Sequence, residues 1–244
     1  TMSGAGRRLN APSATLNLTN SAAVSIASWA LENAGTVLWT GGGNINCSAG
    51  VVLTNQAGAV WEVRNDQIFL HTGGAAQRFD NAGIFRKTQS TGTTTFSSGF
   101  PFNNYGTNDL QSGVLLFNDQ FNNFGRVTVP AGTRLQLAAG GTASGSFELA
   151  AGGTVDWAGG TYNLNSGVQL NGLGNYTNRD TLTVNTPVTI QNFGLSGTIN
   201  GTGLLTIGNV LNWAAGTMSG TGRTLIAPSA TLNLANSDVN INQR

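Results

Sequence analysis

Four short phrases in this chain, LENAGTVLW, FDNAGIFRK, FNNYGTNDL and FNNFGRVTV, share one order of residues. A bulky apolar side chain is followed two positions later by Asn and two positions after that by Gly. A phrase that recurs this often marks an architecture built by stacking one small unit on the next. Aligned on the glycine, the landmarks are Gly35, Gly58, Gly83, Gly106, Gly125 and Gly153, then Asp180, then either Gly203 or Asn209. Ala14 and Ala230 hold the same place near the two ends. Nine intervals separate them, roughly 24 residues each, which lies within the periods of solenoid repeats.

The positions around each landmark alternate. Leu31, Phe79, Phe102, Phe121, Leu149 and Tyr176 stand four residues before it, and Val37, Val60, Phe85, Val127, Val155 and Leu182 stand two after it, with Asn108 as an exception. Thr, Arg and Asp often fill the positions between, which is the period-two pattern of strands with one face in and one face out. By the same parity Asn33, Asn81, Asn104, Asn123 and Asn178, with Gln56 as a variant, point into the core. A buried amide has to be hydrogen-bonded, so stacked corners predict a ladder of amides. A Gly landmark, or Asp180, is expected to turn the chain through a positive φ. These features predict an all-β fold: a single right-handed parallel β-helix (β-solenoid) of nine to ten coils of roughly 24 residues. Its handedness follows the usual rule for parallel crossovers. Residues 1–244 are read as one continuous domain.

A longer repeat overlies the short one. TMSGAGRRLNAPSATLNLTNS begins at Thr1 and TMSGTGRTLIAPSATLNLANS at Thr217, identical at 17 of 21 positions. Met2 is therefore read as part of a repeated phrase. Residues 1–216 form one repeat unit and 217–244 the start of the next, as in a piece of a longer tandem array. Strand edges left open template further pairing, and contacts between unlike faces of identical units give filaments. Thr15, Leu16 and Leu18, with their copies Thr231, Leu232 and Leu234, are accordingly the expected self-association strands.

Composition narrows the function. Only 9% of residues are charged and the net charge is +1, so there is no basic footprint for nucleic acid. Arg7-Arg8 and Arg86-Lys87 read as solvated pairs. No apolar run is long enough to span a membrane. Cys47 is the single cysteine and His71 the single histidine; the first reads as a packed thiol, and the second has no metal-ligand set around it. The carboxylates are scattered, whereas acid–base chemistry on a glycan needs two held together. Asp109 and Asp156 take outward slots where stacking could bring such residues near each other. Arg64, Asp66, His71, Arg78 and Asp80 form the densest polar group and read as surface. Phe96, Phe100, Phe102 and Tyr105 read as a core stack, with sugar binding on exposed rings as the alternative. No catalytic residue, cofactor or metal is expected.

The phrases FNNYGTNDLQSGVLLF, AAGGTVDWAGGTY and APSATLNL resemble the strand repeats of large secreted bacterial surface proteins, the filamentous-haemagglutinin-like and autotransporter-passenger-like adhesins. The resemblance implies an extracellular or cell-surface location and a role as shaft, adhesin stalk or filament. Its partners would be adjacent repeats, and extracellular polysaccharide or another cell surface. A glycan-binding or polysaccharide-degrading β-helix is the alternative reading.

Overall fold

A computed structural model describes residues 6–235 and 239–242. The chain is a parallel β-solenoid of about 11 coils of ~21 residues, with no helix among the described residues. The first coil contributes Gly6–Asn10 to face 1, Thr15–Leu18 to face 2 and Val24–Ala27 to face 3. The second coil repeats the order with Trp29–Asn33, Thr36–Trp39 and Ile45–Ser48, and each strand pairs in parallel with the one beneath it. Among the described residues face 1 holds twelve strands, the last being Val239–Ile241.

Alternation along each strand produces the core. Trp29, Leu31 and Asn33 are buried while Ala30 and Glu32 between them are not, and the same pattern runs through Ile84–Lys87, Thr93–Phe96 and Arg134–Leu137. In-register parallel pairing then sets like residues on like. Phe79 pairs with Phe102 and Phe102 with Phe121 on face 1, and their rings stack at 4.9 Å and 5.7 Å between centroids. On face 3, Phe69, Phe96 and Phe117 stack at 4.2 Å and 4.8 Å. These separations bracket the strand spacing of about 4.8 Å, so the backbone repeat itself delivers the aromatic stacks. Each such pair is worth about 0.5–1.5 kcal/mol beyond its burial.

The coil shortens along the molecule. On face 1 one early coil carries the chain from Leu53 to its register partner Phe79, whereas a late one runs only from Leu182 to Ile199. This corrects both the expected coil length and the count of nine to ten coils. The register successor of Gly125 is Gly145, because Arg126 pairs with Ser146. Gly153 instead precedes Thr154 on face 3, and Asp180 precedes Thr181 on face 1. Corners of different faces carry similar phrases, so an alignment on glycine slips from one corner to another.

The late coils also change shape. Val188–Leu195 and Leu204–Trp213 run without a break from face 2 into face 3. A register shift between Ile190 and Asn192, where the partner strand carries an extra residue, bends them at the corner.

The landmark glycines serve a different purpose from the one expected. Only Gly58 has a positive φ, of 81°, and it lies in an extra turn in which the Ala59 N–H donates to the Gln56 carbonyl. At Gly106 and Gly125 a Cβ would sit 2.1 Å from the carbonyl oxygen of the glycine one coil below. At Gly35, Gly83 and Gly153 the nearest carbonyl oxygen would be 2.3 Å away. These corners need glycine for close approach of one coil to the next, and Asp180 likewise keeps a negative φ.

Candidate functional site

Three assemblies of polar or exposed residues could carry function: the amide ladder inside the first corner, the ion pairs along the faces, and the coils that carry the repeated phrase.

The ladder runs Asn10, Asn33, Asn55, Asn81, Asn104, Asn123. Each Nδ2 donates to the Oδ1 of the next residue at 2.7–2.8 Å. A second N–H of the same amide group reaches a carbonyl of the following coil, as Asn33 does to Val60 at 2.8 Å and Asn104 to Arg126 at 3.0 Å. Every member from Asn33 onward is fully buried. The ladder stops at Asn123 because its register partner is Ala143.

Two expected members are corrected. Gln56 is not in the ladder; Asn55 takes the rung, because two additional residues enlarge the corner after it. Gln56 turns outward and donates to Glu32 at 3.1 Å. Asn178 lies on face 3 between Trp157 and Leu195 and donates to the carbonyls of Asp180 and Thr198. Asn10, which heads the ladder, escapes an alignment on glycine because APSA follows it in place of the Ala-Gly corner.

Many of the charged groups form ion pairs. Arg64 reaches Glu62 and Arg78 reaches Asp80, each at 2.7 Å, and Arg86 reaches Asp109 at 2.8 Å. His71 contacts Gln77 through Nδ1. The polar group around His71 is thus split among separate neighbours. Asp109 on face 2 and Asp156 on face 3 are not brought together. Among the described residues no group of three or more His, Cys, Asp or Glu side chains could hold a metal ion.

Lys87 corrects the expectation of a solvated pair. Its side chain is 0% exposed, and Nζ donates to Asp66, Ser90, Thr94 and the Asn65 carbonyl at 2.7–3.0 Å. Burial pulls its pKa below the ordinary lysine value, and Asp66 opposes that shift. On face 3, Arg134 and Arg179 close over Asp156, which is 1% exposed, beside a groove of about 520 Å³. Burial alone would raise the Asp156 pKa, but hydrogen bonds from Arg179, Arg134 and Thr177 bring it below the usual carboxylate value. One carboxylate held between two guanidinium groups is an ion-pair brace; it supplies neither the free acid nor the free base of a hydrolytic pair.

The aromatic group is divided. Phe96, Phe100 and Phe102 are core, whereas Tyr105 and Phe124 are 56% and 43% exposed and stack on each other at 5.3 Å outside the same corner.

The repeated phrase forms coil in both copies. Thr15 is exposed, Leu16 half-buried and Leu18 buried, and they pair with Thr36, Val37 and Trp39. Thr231, Leu232 and Leu234 pair with Val210, Leu211 and Trp213. Leu232 and Leu234 continue core rows yet remain 42% and 57% exposed, since among the described residues nothing stacks beyond them. Comparison with known proteins finds no match to any family model, curated protein or solved structure.

Proposed function

We propose that the chain is a structural repeat module of a large secreted or cell-surface fibrous protein, in which units follow one another head-to-tail as a shaft, stalk or filament. The observation that carries this reading lies inside the chain. The second copy of the unit's opening phrase, as Arg223–Ile226 and Thr231–Leu234, is seated by continuous parallel pairing on Leu204–Trp213 of the unit before it. The end of one unit therefore accepts the beginning of another with no change of fold. The resemblance to surface-adhesin repeats supports the same location and role. The reading is non-enzymatic, and it is supported by the ion pairs that hold Glu32, Glu62, Asp66, Asp80, Asp109 and Asp156.

The test is a chain in which the unit 1–216 is repeated once more. At about 4.8 Å per coil, images of the rod should lengthen by about 50 Å while keeping its width. Two separate bodies joined by a hinge would refute the module. A second reading, glycan binding, is favoured by the exposed Tyr105–Phe124 stack. Polysaccharide binding that is lost in Tyr105→Ala/Phe124→Ala would support it.

A further inference from the structure

The described strands of the two copies of the opening phrase do not lie on the same faces. Gly6–Asn10 is on face 1 and Thr15–Leu18 on face 2. Their counterparts in the second copy lie one face further on. Arg223–Ile226 pairs with the first half of Leu204–Trp213, which continues face 2, and Thr231–Leu234 pairs with its second half, which continues face 3. Eleven face 1 strands run from Gly6–Asn10 to Gly216–Met218, making ten full coils, and one more face leads to Arg223–Ile226. The repeat is ten coils and one-third.

The two copies carry four differences. They are Ala5/Thr221, Arg8/Thr224, Asn10/Ile226 and Thr19/Ala235. Two of them, Arg8/Thr224 and Asn10/Ile226, fall at the inward positions of the first strand. On face 1, Asn10 is needed to head the ladder and donates to Asn33. On face 2 the same position joins the row Ile190, Ile207, Ile226, so isoleucine there continues an apolar row. The second strand, TLNL, is unchanged. Faces 2 and 3 both set apolar residues against its leucines, Val37 and Trp39 of the following coil in one case and Leu211 and Trp213 of the preceding coil in the other. The APSA corner closes with the same hydrogen bond in both places, Ala14 N–H to the Ala11 carbonyl at 3.0 Å and Ala230 N–H to the Ala227 carbonyl at 2.9 Å, although Ser13 takes a positive φ of 64° and Ser229 does not.

We propose that successive units in an array are each advanced by one face about the common axis. Any surface feature of the unit, such as the Arg134–Asp156–Arg179 brace, then points to each of the three sides in turn. The faces return to register after three units, or 31 coils, about 150 Å at the strand spacing. What Leu204–Trp213 accepts is the opening of the following unit, turned by one-third of a coil. This inference rests on the head-to-tail reading for its meaning in an array, while the rotation itself can be tested within one chain.

The test uses the full chain with Cys47→Ala and two cysteine pairs. Thr206→Cys/Leu225→Cys joins outward register partners, whose spacing across adjacent parallel strands suits a disulfide. Asn200→Cys/Leu225→Cys joins the pair that an unrotated copy would bring together on face 1. Under mild oxidation the first pair should close at least tenfold faster, read as loss of two thiols and by the disulfide-linked peptide. Equal rates, the reverse order, or closure of neither pair would overturn the rotation. An unrotated copy would still stack, so this failure is distinct from failure of the rod to lengthen. In images of a six-unit chain, a label on Thr177→Cys should repeat its azimuth at intervals of about 150 Å; a repeat at intervals of about 50 Å would overturn the array form.

Discussion

Replacing Asn104 by leucine tests whether the corner is held by the amide ladder or only by apolar packing. Asn104 accepts from Asn81 at 2.8 Å and donates to Asn123 at 2.8 Å and to the Arg126 carbonyl at 3.0 Å. Leucine removes all three bonds. It leaves one Asn81 N–H, the Asn123 Oδ1 and the Arg126 carbonyl without these partners in a dry interior. Each buried group left unpaired costs about 1–3 kcal/mol, and the added apolar surface returns about 1–2 kcal/mol. The expected loss is about 3–5 kcal/mol. Asn123→Leu, at the last rung, loses only the bonds from Asn104 and to the Ser146 carbonyl and should cost less, about 2–3 kcal/mol. Asn103→Leu changes an outward neighbour in the same strand and should cost under about 1 kcal/mol. Urea unfolding followed by tryptophan fluorescence measures the three, with hydrogen exchange locating the opened coils. The reasoning fails if Asn104→Leu is no worse than Asn103→Leu, or if the last rung costs more than the middle one.

Three further outcomes follow from buried polar groups. Asn108 sits in the face 2 row between Phe85 and Val127, with neither amide atom hydrogen-bonded, so Asn108→Val should stabilise by about 1–3 kcal/mol in the same urea assay. Glu62, Asp66, Asp109 and Asp156 all have pKa values below the ordinary ones, because their hydrogen bonds and nearby cations together outweigh the raising effect of burial. Their contribution is full above the ordinary values of 3.8 for Asp and 4.5 for Glu and is lost as pH falls through the folded-state values; the urea midpoint should therefore fall between pH 6 and pH 3, and a flat profile would contradict the ion-pair geometry. Burial pushes the Cys47 thiol up to about 12, so it should resist a thiol reagent at pH 8 in the folded chain and react on unfolding.

The alternation that makes the core is legible in the sequence because every second residue of a coil has to fill an interior shared with its neighbours. The rows of Phe79, Phe102 and Phe121 can be read directly. The ladder is legible where Asn is followed by a two-residue corner, as at Asn33, Asn81, Asn104 and Asn123. It is obscured where the corner is larger, after Asn10 and Asn55, since a count of residues from the glycine then lands one position late, on Gln56. The signal that finds both is Asn before a four-residue turn, APSA or QAGA. The charge of Lys87 suggests solvent, although its parity with Phe85 already directs it inward. Its burial is satisfied by Asp66 of the preceding coil and by Ser90 and Thr94, three and seven residues further along its own coil. Parity places Asp156 outward correctly, but its covering by Arg134 and Arg179 depends on which strands become neighbours.

A solenoid tolerates a repeat that is not a whole number of coils because its stability is assembled from contacts between neighbouring coils. Each strand has to match only the strand beneath it, so residues can be added or removed at corners without disturbing the rows. The coil from Leu53 to Phe79 is therefore much longer than the coil from Leu182 to Ile199, while Phe still meets Phe and Asn meets Asn across the early coils. A unit such as 1–216 can begin again at any corner whose two following faces accept its first two strands. The opening phrase meets that condition with an APSA turn and a TLNL strand suited to either of two faces, and with Asn10 replaced by Ile226 in the row of Ile190 and Ile207. Adding or deleting one face's length of chain from the unit would move the next copy to a different face, and the inward residues at positions 8 and 10 of that copy would then have to change with it.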